Sequence, residues 1–195
     1  MTDFILTLIS AALINNLVVQ WPLSVDPLLK APRQPEITRL QVHALGIATA
    51  WVMLCSSLLN LLLYRYLLMP RELGYLQLLV FLPVSVLLIS PCLSILSRLL
   101  PGLPLQGLWP LLLANAGILG LTLLSTQADK GLFSSVALIL GAGLGFWLVL
   151  SLFHDLRQRI QIQYVPLPFR GLPIELICAG LMGLAFLGFS GLVKP

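Results

Sequence analysis

Six long apolar runs constrain this chain more than any other feature. Uncharged stretches extend from Phe4 to Val25, Ala44 to Tyr64, Leu73 to Ser97, Leu99 to Ala128 and Gly131 to Phe153, and Gly171 to Val193 is interrupted only by Glu175. A helix needs roughly 20 predominantly apolar residues to cross a bilayer's hydrocarbon core. Every run reaches that length, and the fourth is longer because the Pro/Gly-rich PGLP at 101–104 leads into it. Only 9% of the residues are charged, against roughly 25% in soluble domains. The expected fold is therefore an all-α integral membrane protein, a single domain over 1–195 with six spans near 4–23, 42–64, 74–97, 105–125, 131–153 and 171–193.

The first run reads as a span rather than a signal peptide, because MTDF has no basic n-region and no small-residue cleavage site closes the segment. With six spans both termini share one side of the membrane. The loops of one face carry Lys30, Arg33, Arg39, Arg98, Arg157, Arg159 and Arg170, those of the other Arg65, Arg71, Lys130 and Lys194. The positive-inside rule places the richer group in the cytoplasm and both termini outside. The formal charge of +4 thus belongs to membrane orientation and not to nucleic-acid binding.

Asparagine is the unusual residue inside these runs. Asn15 and Asn16 stand together in AALINNLVVQWPL, and Asn115 stands in LLANAGI. An amide without partners in hydrocarbon costs several kcal/mol, so each must find helix neighbours, an opened backbone or a bound group. LINNLVV at 13–19 echoes LLANAGI at 112–118 and sets Asn16 opposite Asn115 in the first and fourth spans. A three-plus-three repeat inverts its second copy, because an odd number of crossings reverses direction. Inverted repeats gather broken helices at a shared midplane site. The first and fourth spans are accordingly expected to be broken half-helices, with the asparagines acting either as interhelical glue or as part of a pathway or cofactor site.

Other polar residues have plainer readings. Ala137, Gly141 and Gly145 recur every four positions and make a smooth helix stripe for close packing. Glu175 follows Pro173 by two residues, in the expected first turn of its helix, where a carboxylate meets the positive end of the dipole. His43 and His154 fall near helix ends and read as solvated interfacial side chains. Cys55, Cys92 and Cys178 are far apart, lack metal-ligand spacing and read as small buried hydrophobes. No nucleophile–base pair, paired carboxylates, P-loop or zinc pattern is present, so the chain carries no self-contained active site.

The segments MTDFILTLISAALINNLVVQ and VPLPFRGLPIELICAGLMGLAFLGFSGLVKP, the latter at 165–195, resemble the A-type family of membrane subunits in the Rnf (Rsx) electron-transport complex, kin of the E-type one in the sodium-pumping NADH:quinone reductase. The similarity extends over essentially the whole chain, with 60–110 most divergent, and includes Arg170 in the basic PFRG loop. It implies a six-helix subunit of the bacterial inner membrane that pairs with a paralogous subunit of opposite topology. It also implies further flavin- and iron-sulfur-bearing partners, and a [2Fe-2S] cluster held between the paired subunits by two cysteines from each. One family cysteine stands before Pro-Phe after the first helix and the other follows Thr-Asn in the fourth. Here those positions are Asp26, in VDPL, and Ala116, in LLANAGILG. The resemblance therefore implies a subunit that couples electron transfer between ferredoxin and NAD to ion transport, with cluster ligation lost or altered. The alternative is a degenerate paralogue acting as a small transporter or an assembly scaffold.

Overall fold

A computed structural model describes residues 2–16, 39–127 and 131–189. Asp26, the loop cations Lys30 and Arg33, and the second half of the first expected span lie outside those residues. Helix α1, Thr2–Ile9, widens into a π-helical turn at Ser10–Ile14 and stops there. Helix α2, Arg39–Leu63, continues through a π turn at Tyr64–Leu68 and a 3-10 turn at Met69–Arg71. Helix α3, Gln77–Leu99, contains Pro83 and Pro91. Each proline removes one backbone donor, a loss that neighbouring helices can offset in a membrane bundle.

The fourth apolar run forms two helices, α4 at Trp109–Leu113 and α5 at Ala116–Gln127, separated at Ala114 and Asn115. Helix α6, Leu132–Arg159, extends six residues beyond the expected end at 153, because HDLRQR supplies good helix formers and places Arg157 and Arg159 near the negative end of the dipole. Helix α7, Leu172–Leu187, starts after Gly171, whose φ of 88° lets the chain reverse out of the preceding turn at Leu167–Phe169. Among the described residues three helical segments are long and apolar enough to cross a membrane: Arg39–Arg71, Gly74–Leu99 and Leu132–Arg159. Asp3–Ile14, Ala116–Thr126 and Leu172–Leu187 are apolar but shorter.

Helices α2 and α6 form the centre. About half of each apolar window is buried, against 22% for α3, which turns Leu79 and Leu87 outward. Lipid tails are as apolar as leucine, so helix association here depends on close packing and on interhelical hydrogen bonds rather than on escape from water. Small residues provide the close approach. A Cβ on Gly143 would lie 3.3 Å from that of Ala50, and one on Gly46 would run into the Trp147 indole. The Ala137–Gly141–Gly145 stripe is where the first helix seats. At Gly141 an added Cβ would meet the Leu8 carbonyl and the Ala11 side chain, and at Gly145 it would come within 2.6 Å of both the Ala12 carbonyl oxygen and Asn16 Nδ2.

Candidate functional site

Asparagine organises both the end of the first described helix and the break between α4 and α5. At the first, the Asn15 backbone N–H donates to the Ser10 carbonyl at 2.6 Å, closing the π turn, and Asn15 Nδ2 donates to Ser10 Oγ at 3.1 Å. Asn16 Nδ2 donates to the Ala12 carbonyl at 2.8 Å. A helix end leaves its last carbonyls without backbone donors, and the Asn16 side chain supplies a donor to that of Ala12. Asn15 is exposed, whereas Asn16 is buried against Gly145 of α6.

The second interruption has the opposite polarity. Asn115 Oδ1 accepts the Gly117 N–H at 3.0 Å, and the Asn115 carbonyl accepts the Ile118 N–H at 3.2 Å. That is N-cap geometry, with the side chain serving a donor of the first turn of α5. Asn115 is 4% exposed and lines a cavity of about 240 Å³ together with Ser85, Ile89, Leu112, Ala116 and Ile118. The two interruptions therefore have different neighbours: Asn16 sits on α6, and Asn115 faces α3.

A buried polar cluster lies beside this cavity. Ser56 Oγ donates to Ser85 Oγ at 2.7 Å, and Asn60 Nδ2 donates to Ser85 Oγ at 3.1 Å and to Ser56 Oγ at 3.4 Å. Ser57 Oγ and Thr122 Oγ1 are 3.2 Å apart and join α2 to α5. Sequence reading misses this cluster. Its members are single serines and threonines scattered among leucines, and only the spacing of Ser56 and Asn60, one turn apart on one helix face, hints at it.

Ionic and aromatic contacts bring α6 against its neighbours. Arg157 Nη2 donates to Glu175 Oε1 at 3.0 Å, with the two side chains only 16% and 9% exposed. Glu175 thus occupies the first turn of α7 and also binds an arginine of α6, a pairing that the sequence does not signal. His43 is not a solvated side chain: it is half-buried and accepts the Trp147 indole N–H at Nδ1, 3.1 Å away. His154 Nε2 is 2.9 Å from Gln158 Nε2. Arg170 folds back on its own loop, donating to the carbonyls of Val165 at 2.8 Å and Gln163 at 3.3 Å.

The cysteines differ from their expected separation. Cys55 on α2 and Cys92 on α3 are neighbours across the two helices, and Cys178 is buried on α7. Neither sulfur of the pair belongs to the helix interruptions. Ala116, which the resemblance aligns with a family cysteine, is the first residue of α5 and offers only a methyl group. Iron-sulfur clusters are held by thiolates or occasionally imidazoles. The donor set at this position does not fit a four-thiolate cluster.

The family model described as "Rnf-Nqr subunit, membrane protein" matches residues 4–193. A protein of Actinobacillus pleuropneumoniae serotype 5b (strain L20) is 41% identical over 196 residues, covering 100% of both chains. Proteins of Thioalkalivibrio sulfidiphilus (strain HL-EbGR7) and Pseudomonas aeruginosa (strain LESB58) are each 39% identical, again with 100% of both chains covered. All three relatives are named as the A-type member of an ion-translocating oxidoreductase complex. A match from residue 4 to residue 193, on a chain of apolar helices with small-residue packing, settles the relationship: this protein belongs to the Rnf-Nqr family of membrane subunits.

Proposed function

We propose that the chain is an integral subunit of an ion-translocating oxidoreductase complex, built as six spans in two inverted three-helix repeats. The observation that carries this reading is the end-to-end similarity to relatives bearing that name. A helix end at Asn15 and Asn16 and a helix start capped by Asn115 support the inverted arrangement. In this reading the protein lies in the bacterial inner membrane with both termini periplasmic, and its partner is a paralogous six-helix subunit of opposite topology. The exposed apolar surface of α3 suits lipid or a partner's helices equally well in chemistry.

The role is that of scaffold and ion-path wall, because Ala116 removes one cluster ligand and Asp26 replaces the other. Crosslinking in native membranes followed by purification tests the assignment. Recovery with the six-helix paralogue and with flavin- and iron-sulfur-bearing subunits is the expected result, and a stable chain recovered alone overturns it. Ala116 and Asp26 also favour a second reading, a paralogue that has left electron transfer. Under that reading, deletion leaves ferredoxin-linked NAD reduction unchanged. Low-temperature EPR with iron and sulfide analysis on the co-purified pair decides the cluster, and a stoichiometric [2Fe-2S] signal would overturn the loss of ligation.

A further inference from the structure

We propose that His43 and Trp147 form a pH-sensitive latch between α2 and α6: the neutral imidazole holds the indole against Gly46, and protonation frees the indole to turn into the adjoining apolar cavity. The Trp147 Nε1–H donates to His43 Nδ1 at 3.1 Å, and the two rings meet edge to face with centroids 5.9 Å apart. An indole N–H can only donate, so Nδ1 must keep its lone pair and the ring's proton must sit on Nε2. An imidazolium donates at both nitrogens. A proton added to Nδ1 therefore sets two N–H groups against each other and removes the bond. The latch is closed at higher pH and opens as pH falls through the range, about pH 5–8, in which histidine side chains change charge.

The indole has somewhere to go. On one side it is pressed against α2, where a Cβ on Gly46 would run into Cδ1 of Trp147. On the other it walls a cavity of about 340 Å³ between α2, α3 and α6, together with Trp51, Leu54, Leu99, Leu140 and Leu144. Packed interiors leave few voids larger than a water molecule, so an apolar space of this size beside a side chain tethered through its one polar atom gives that side chain a second position.

The surroundings leave His43 able to titrate. It is half-buried one turn after Arg39, whose side chain is 71% exposed, so water reaches that end of α2. Asp155 of α6 lies 3.6 Å from Arg39, and Arg157 of α6 is paired with Glu175 of α7. His154 of α6 lies within electrostatic reach of His43, Arg39, Asp155 and Arg157. Helix α3 contributes the exposed Arg98 in its last turn, α5 has no titratable side chain, and α1, whose acid is Asp3, seats on the glycine stripe of α6. Both nearby carboxylates already have an arginine, so neither holds the imidazole permanently charged.

The latch is set by this chain's own residues and does not depend on the subunit role. The test uses the full chain, with whatever subunits co-purify, in lipid nanodiscs. The chain is labelled with 5-fluorotryptophan and followed by fluorine NMR between about pH 8 and pH 5. Trp147→Phe, Trp51→Phe and Trp109→Phe assign the resonances. Trp147 and Trp51, which face the same cavity, should shift together in a single-proton transition that Trp109 does not share. His43→Gln keeps an acceptor for the indole and cannot titrate, so it should abolish the transition and leave Trp147 at its high-pH position. His43→Asn serves if that variant does not fold. His154→Gln should retain the transition. A Trp147 resonance that does not move, a transition that survives substitution of His43 or disappears with His154→Gln, or a shift that Trp51 lacks or Trp109 shares overturns the latch.

Discussion

Arg157 of α6 and Glu175 of α7 meet at 3.0 Å with both side chains largely shielded, a charge pair that fastens the last described helix to the central one. The guanidinium also lies 5.9 Å from the centre of the Phe153 ring. Removing one partner of a buried pair strands the other charge. Glu175→Leu and Arg157→Met should therefore each destabilise by about 3–5 kcal/mol, and the two combined by less than the sum of the singles. Denaturation of the four proteins in detergent gives the coupling energy directly. Additive losses would mean that the pair is not coupled.

Gly145 and Gly141 admit the first helix by lacking a Cβ. Gly145→Ala should cost about 1–3 kcal/mol through overpacking against the Ala12 carbonyl and the Asn16 amide. Gly180→Ala on α7 meets nothing within 4 Å and is the matched control, expected within about 0.5 kcal/mol of the parent. Protease accessibility of the N-terminal segment, compared between the two variants, reports whether the first helix has come away.

At Asn115 the side-chain oxygen caps α5, so Asn115→Ala should lose about 1 kcal/mol, whereas Asn115→Asp keeps an acceptor and should lose less. Equal losses in both variants would place the residue's value in its amide nitrogen instead. Hydrogen exchange at Gly117 and its neighbours reads the cap locally.

The neighbouring thiols of Cys55 and Cys92 should close to an intramolecular disulfide when a diazene oxidant removes two hydrogens, itself becoming a hydrazine. Mass analysis of peptides after treatment should find Cys55 joined to Cys92 and Cys178 still reduced. A Cys178 crosslink within the same chain would contradict the packing of α2 on α3.

Length and charge already define the membrane character, because hydrocarbon tolerates neither exposed backbone nor unmatched charge. The runs around 44–64 and 131–153 are legible as helices for that reason, and the glycine stripe as a packing face because period four is local to one helix. Asn16 and Asn115 stand out by their rarity in such runs, and PFRG with the last helix carries the family. Partnerships are a different matter. Ser56 with Ser85, Cys55 with Cys92, His43 with Trp147 and Arg157 with Glu175 each join separate helices. Residues adjacent along a helix are related by a fixed period, but which faces of two helices meet depends on packing among all of them. Only the tertiary structure decides that, and with it where the buried oxygens converge.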